Sequence, residues 1–385
     1  MTLPSSPNQL SFSQIETEFG GAGVSRLGKY RRDDPSNDFE NASPSGSDLN
    51  LPLDTGIPTS GEIKFSHFHG KKLNIIVDYY TESIKKQDVG NNQMSATYRM
   101  NNTNHFKVVG GFRDKPTASV SNHTLSATND WQGGKRIIIH INKEIGGKRD
   151  NNVADVALRT GVWPSGTELQ VDVGSSGRLQ GAGGNGGRAN RGNANNAQDG
   201  RNGTSALGVE YPATINNGGI IRCGYGGGGG GSGASNDPSD KSTTDYGRSG
   251  AGGGGGAGIP AGNGGAGGTG GFNGENNPPD GPIDGTAGSA GTKNNGGGGG
   301  DAGQTNGANG GDGGDGGDLD AQAQHGTKGS RRDDRAYTST PGERGLRGSD
   351  GKAIYFKNTN IQQNSTVTGN SISGRRGGTA TGSFN

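Results

Sequence analysis

The 385-residue chain is short of most of what globular domains are built from. Hydrophobic residues make up 25% of it and aromatics 5%. That is about half the usual apolar share, so an oil-like core does not run through the whole length. The single cysteine, Cys223, excludes an intrachain disulfide framework. With 37 Lys+Arg against 36 Asp+Glu the net charge is +1, which leaves no overall field to gather nucleic acid or membrane. No apolar stretch nears the roughly 18 residues of a membrane span. The opening residues lack a basic segment followed by an apolar one, so no secretory signal is expected there. Only 15 prolines occur, too few for collagen. Gly342-Glu-Arg-Gly-Leu-Arg-Gly-Ser-Asp-Gly351 is a Gly-X-Y run, but a brief one.

What is abundant is glycine. Most of the 82 glycines fall between Gly181 and Gly351. Gly226–Gly231, Gly252–Gly256 and Gly296–Gly300 are pure runs, whereas Gly262–Gly271 and Gly307–Asp318 keep glycine at every third position. A period of three matches a left-handed helix with three residues per turn. One glycine edge lets a neighbouring backbone approach, two edges admit neighbours on two sides, and an all-glycine run can be surrounded. The expectation is a bundle of packed polyglycine II helices with backbone for a core, in which Gly254 and Gly298 both face inward. Disorder is the competing reading of such composition. Against it, Leu207, Ile220, Ile221 and Ile354-Tyr355-Phe356 stand between the glycine blocks, where a flexible linker needs no apolar residues.

Composition divides the chain into residues 1–72, 73–180 and 181–385. In the first part, Ser13 with Glu16 reads as a capping box and Gly20 as a stop, predicting a very short helix. Leu10–Ile15 is echoed by Ile63–Phe68, each with aromatic or aliphatic residues around a serine. This part is too small and polar for a large core of its own, so it is expected to dock on a partner or on sister chains. In the second part, Leu73–Tyr80, His105–Val109, Arg136–Asn142 and Glu168–Val173 read as strands. A weak repeat follows in Leu169–Gly187, Ala213–Gly231 and Ile361–Gly378. Each time a strand-and-turn unit feeds a glycine block, which suggests a scaffold that hands the chain repeatedly to glycine helices. The fold class expected is mainly β and irregular: short N-terminal attachment helices, a β-rich middle, and a C-terminal polyglycine II bundle with C-terminal strands.

No catalytic constellation emerges, and no enzyme, metal site or cofactor is expected. His67 and His69 make too small a ligand set. Cys223 beside Arg222 lacks a histidine partner, so a packed small side chain is its expected role. Asp312, Asp315 and Asp318 align on one edge of a three-residue-per-turn helix, and a solvated edge outweighs a cation site because hard cations need six or more oxygens. Arg376-Gly-Gly378 is isolated, and no nucleic-acid partner is expected.

Leu3-Pro-Ser-Ser6, Leu10–Ile15, Phe19-Gly-Gly21 and Ile57–Gly70 resemble the leader found on virion proteins of marine tailed phages, including those of cyanobacteria. Asn217-Gly-Gly-Ile-Ile-Arg222, the polyglycine blocks, Gly351-Lys-Ala-Ile354 and Ser371–Gly377 resemble glycine-rich C-terminal regions of phage tail fibres and are similar to the tip adhesins of T-even-like phages. The resemblance implies a virion appendage that attaches to the host through loops of a glycine-rich tip. Its partners would be other virion proteins at the leader and a bacterial surface receptor, a saccharide or an outer-membrane protein. A homo-oligomer is expected, a trimer by preference. The leader contacts fall to Phe12, Ile15, Phe19, Phe65 and Phe68. The receptor contacts fall to Tyr246, Phe272, Arg331, Arg332, Arg335 and Tyr337, in the segments 232–249, 272–283 and 319–341. The alternatives are a structural fibre that binds no receptor and a secreted glycine-rich matrix protein.

Overall fold

The computed structural model describes residues 3–19, 27–30, 56–58, 60–71, 74–79, 84–85, 106–109, 136–149, 151–161, 166–189, 196–233, 249–268, 284–303, 310–329, 343–372 and 376–384. Their helices are short and their sheets are mostly parallel.

The leader has a small core. Helix α1 (Phe12–Phe19) is capped two residues earlier than Ser13 and Glu16 suggest. The Gln14 amide N–H donates to Ser11 Oγ at 3.2 Å, and the Ser11 N–H donates back to Gln14 Oε1 at 2.8 Å. This closes the capping box on Ser11 and satisfies two free donors of the first turn. The echo at Phe65–Phe68 is a single 3-10 turn. There His67 Nδ1 accepts the Lys64 N–H at 3.0 Å. Leu3, Ile15, Tyr30, Ile57 and Phe68 are buried together, with Tyr30 edge-on to both Phe12 and Phe68 at 6.1 Å. Backbone bonds from Leu3 to Lys71 and from Gly70 to Pro4 tie the two ends of the leader together.

From residue 74 the chain winds as a solenoid. The strands are β1 (Asn74–Tyr79), β2 (Ile84–Lys85), β3 (Phe106–Val109), β4 (Arg136–Ile141), β5 (Glu144–Gly146), β6 (Val156–Arg159), β7 (Glu168–Val173), β8 (Arg178–Gln180), β9 (Ser205–Val209), β10 (Ala213–Asn217), β11 (Ile220–Arg222), β12 (Ile354–Phe356), β13 (Thr366–Gly369) and β14 (Thr379–Thr381). β1, β4, β7, β10 and β13 stack in parallel as one face, with β3 antiparallel at its edge. β2, β5, β8 and β11 form a second face, and β6, β9, β12 and β14 a third. From β4 to β12 successive strands fall on successive faces, so each of these three coils visits all three. This is the physical content of the weak repeat.

Identical faces put like residues above one another. Ile139, Val171 and Ile215 are in register on the first face, Ile145, Leu179 and Ile221 on the second, and Leu158, Leu207 and Ile354 on the third. All nine are buried in one cluster. Each such aliphatic contributes about 1.5–3 kcal/mol by leaving water. Residue 180 lies inside a coil, since β9, β12 and β14 complete a face begun by β6. In the last coil the Ser-Thr-Val stretch of the repeat falls on β13, and the residues before it form helix α2 (Thr359–Gln363). It is capped by Asn358, whose side chain accepts from the Ile361 N–H, and Ile361 is buried.

Two excursions leave the solenoid at the same corner, between β8 and β9 and between β11 and β12. Their described parts are the runs 181–189, 196–204, 223–233, 249–258, 260–268, 284–292, 295–303, 310–318, 321–329 and 343–351, which lie in neither helix nor sheet. Backbone hydrogen bonds join them with a period of three. Gly227, Gly228 and Gly229 donate to Arg201, Gly254 and Gln324, and the next three residues, Gly230, Gly231 and Ser232, donate to Gln198, Ala251 and Thr327. Three consecutive residues thus reach three different neighbours, and the cycle repeats.

Two of the runs have neighbours on six sides. Run 223–233 is enclosed by 181–189, 196–204, 343–351, 321–329, 310–318 and 249–258. Run 249–258 is enclosed by 223–233, 181–189, 260–268, 284–292, 295–303 and 310–318. The other eight form a rim around these two. Both enclosed runs are buried, and they hold Gly226–Gly231 and Gly252–Gly256. The third pure run, Gly296–Gly300, sits on the rim, and Gly298 is exposed there. A Cβ at Gly254 falls on the Gly297 carbonyl, whereas a Cβ at Gly298 meets nothing closer than an Asp315 carboxylate oxygen at 3.9 Å. The expectation that Gly298 faces inward is thereby corrected. A rim run has an open edge that tolerates glycine without needing it.

Candidate functional site

The runs alternate in direction, and their turns separate into two ends. At the solenoid end the chain reverses within a few residues. Ile259 accepts from Gly147 of the segment after β5 at 2.7 Å and donates to Gly181 at 3.0 Å. The next turn is clamped by side chains. Arg178 donates to the Lys293 carbonyl and to Asn294 Oδ1, each at 2.8 Å, and Lys293 Nζ meets Glu144 at 3.0 Å. Burial, and then the adjacent Arg222 charge, lower the Arg178 pKa from its ordinary value. The guanidinium stays charged, since arginine titrates far above neutrality. At the third turn, Asp318 Oδ1 accepts the N–H groups of Asp320 and Ala321, and Leu319 packs on Cys223, Tyr225 and Ala257. The segment 319–341, expected to be one loop, therefore begins with a solenoid-end turn and a rim run. Cys223 is buried in that cluster, as a packed small side chain.

At the far end, five intervening segments are bordered by run ends that meet one another. Ser232 Oγ accepts from Gly329 at 2.9 Å, Ser249 Oγ accepts from Gly285 at 2.6 Å, Gly303 donates to Ser249, and Ala197 donates to Glu343. The segments are 190–195, 234–248, 269–283, 304–309 and 330–342. Tyr246, Phe272, Arg331, Arg332, Arg335 and Tyr337 belong to three of them and lie outside the described residues.

The rim also explains residues that the sequence leaves ambiguous. A run on the rim has N–H groups without a neighbouring carbonyl, and an unmet buried donor costs about 1–3 kcal/mol. Short polar side chains at every third position take those bonds. Asp312, Asp315 and Asp318 accept the N–H groups of Ala302, Gly299 and Gly296 at 2.9, 2.8 and 3.2 Å. Asn196, Asp199 and Asn202 do the same for Glu343, Leu346 and Ser349 at 3.0, 2.7 and 2.8 Å. The aspartate edge read as solvated is a row of acceptors for the adjacent backbone. The period-three spacing carried this signal, but it did not name the donor.

In the leader, Ile15 and Phe68 are buried inside its own core, Phe12 is half-buried, and Phe65 is 40% exposed. The rings of Phe12 and Phe65 meet edge-on at 6.3 Å. Phe19 ends α1, and its side chain lies outside the described set. His69 Nδ1 bonds to the Pro4 carbonyl at 3.0 Å, so both histidines of this stretch brace the leader.

A solenoid anchors an array of runs, with tight reversals at one end and, at the other, the meeting run ends that border five longer segments. The model of the family described as phage tail fibre adhesin Gp38 matches residues 108–383, and the chain belongs to that family. It is a tail-fibre adhesin of a phage virion, acting in host attachment and not as an enzyme. The match does not include the leader. A solved structure, the gp37-gp38 adhesin tip complex of the bacteriophage S16 long tail fiber, aligns over 85% of this chain and 88% of its own at 15% identity, with a TM-score of 0.31. No curated protein matches the chain.

Proposed function

We propose that host recognition resides in the five segments at the far end of the array, with Tyr246, Phe272, Arg331, Arg332, Arg335 and Tyr337 as its contacts. The observation that carries this reading is the meeting of all ten run ends at the pole opposite the solenoid. Tyrosine and arginine supply stacking surfaces and forked hydrogen bonds suited to saccharide or protein. The runs themselves we read as polyglycine II helices. Support comes from the three-residue cycle of donors and from neighbours on six sides of the two pure-glycine runs.

The chain then has three working parts. The leader seats on a tail-fibre protein, of the kind that gp37 is in the S16 complex, through the Phe12–Phe65 surface. The solenoid fixes orientation, and the array carries the loops. The copy number on the fibre, three by the expectation above, is read from the mass of isolated tips. The test of recognition is the variant in which Arg331, Arg332, Arg335 and Tyr337 are all alanine. It should keep the parent's melting curve, because no packed glycine is touched, and cell adsorption should fall at least tenfold. A variant that folds and adsorbs like the parent removes this segment from the recognition surface and shifts it to Tyr246.

A further inference from the structure

Charge is sorted around the rim although the chain is neutral overall. Runs 284–292, 295–303 and 310–318 are consecutive on one flank. They carry Asp284, Asp301, Asp312, Asp315 and Asp318 and no lysine or arginine. On the opposite flank, runs 181–189, 196–204 and 343–351 are consecutive and carry Arg188, Arg201, Arg344 and Arg347, all exposed. That flank also holds Asp199, Glu343 and Asp350, so its four arginines face three acids, against five acids and no base on the other flank. Asp199 accepts from Leu346, Asp350 accepts from Gly226 at 3.0 Å, and Glu343 pairs with Lys328 at 2.7 Å. Among the described residues, Arg188, Arg201 and Arg344 have no ion-pair partner. The Arg347 guanidinium reaches the Ala323 carbonyl at 3.4 Å, and its backbone N–H donates to His325 Nδ1 at 3.2 Å.

The arginines also stand in register. Run 196–204 lies between the other two. Gln198 donates to Arg188 and the preceding Ala197 donates to Glu343, which puts Arg188 and Arg344 at one level. Arg201 donates to Asn185 and the preceding Gly200 donates to Leu346, which puts Arg201 and Arg347 one turn nearer the solenoid. One turn of a three-residue helix rises about 9 Å. The result is two tiers of arginine positions on a hydrogen-bonded backbone. Arginine is the side chain suited to forked contact with phosphate and carboxylate.

We propose that this flank is a second contact surface, for an anionic glycan of the bacterial envelope lying along the array. This goes beyond the far-end recognition surface and rests only on the adhesin function. Its contribution is electrostatic, so it raises the rate of capture and weakens with salt.

The test uses the full chain, with dextran sulfate and uncharged dextran as probes and host-cell adsorption measured beside them. The parent is expected to bind dextran sulfate and not dextran, and to adsorb more slowly as salt rises. R188Q/R201Q/R344Q/R347Q should lose dextran sulfate binding at least tenfold and adsorb several-fold more slowly at low salt, with the salt dependence flattened. D301N, on the other flank, should change neither. R201Q/R344Q removes two charges without touching any hydrogen bond described here, and serves if the quadruple variant melts early. A folded variant that binds dextran sulfate like the parent overturns the proposal. So does one that loses the polyanion but adsorbs to cells unchanged, because the flank would then be a polyanion binder only. Far-end alanine variants that lose adsorption yet keep dextran sulfate binding separate the two surfaces.

Discussion

At the residue scale, the meaning of a glycine is set by its place in the array. Gly254 and Gly298 both occur in pure runs, and the sequence around them gives no reason to tell them apart. Their surroundings do: one looks onto a carbonyl, the other onto open space. G254V should cost at least the roughly 1–3 kcal/mol of overpacking, and limited proteolysis should cut the array where the parent resists. G298V should leave protease resistance unchanged. The aspartates make a second residue-scale case. Asp315→Ala leaves the Gly299 N–H without its acceptor and should cost about 1 kcal/mol, measured as a lower melting temperature. Asp315→Asn keeps an acceptor oxygen and should lose less.

At the element scale, stability is divided between side-chain and backbone packing. Leu207 sits between Leu158 and Ile354 in a buried stack, and Leu207→Ala should cost about 2–5 kcal/mol in chemical denaturation. Phe68→Ala removes the centre of the leader core at about 3–5 kcal/mol. That loss should appear as leader proteolysis while the array stays protected. Phe12→Ser with Phe65→Ser should do the reverse, keeping the leader folded and lowering incorporation into particles. β1, β3, β4 and β7 were legible because alternation of β-branched residues marks them directly, whereas β2, β5 and β6 in the same stretch were not. The solenoid was not, because two of its faces are made of strands of two to five residues, such as Ile220–Arg222. Strands that short leave no alternation to read, and parallel pairing between coils depends on neighbours far away in sequence. The helix at Thr359–Gln363 was missed for a similar reason: its signal is the single cap Asn358.

At the scale of the whole molecule, the glycine spacing was the most informative text in the chain. All-glycine, two-in-three and one-in-three patterns do correspond to enclosed and rim runs, as 249–258, 310–318 and 343–351 illustrate. The enclosure of Gly226–Gly231 and Gly252–Gly256 follows from that pattern, whereas the rim position of Gly296–Gly300 does not. Three of the five intervening segments overlap the stretches 232–249, 272–283 and 319–341 where the spacing breaks, and 190–195 and 304–309 were not singled out. The turn at Leu319 breaks it too, and only its packing on Tyr225 assigns it to the solenoid end.

The two excursions begin and end on the solenoid, the first with two runs and the second with eight. A chain that leaves and returns to one base can lengthen only by an outward and an inward run together. Each such hairpin joins the rim without disturbing the enclosed pair, and each adds one loop at the far pole. The array is thus a unit of growth, and relatives built this way should differ in size by whole hairpins.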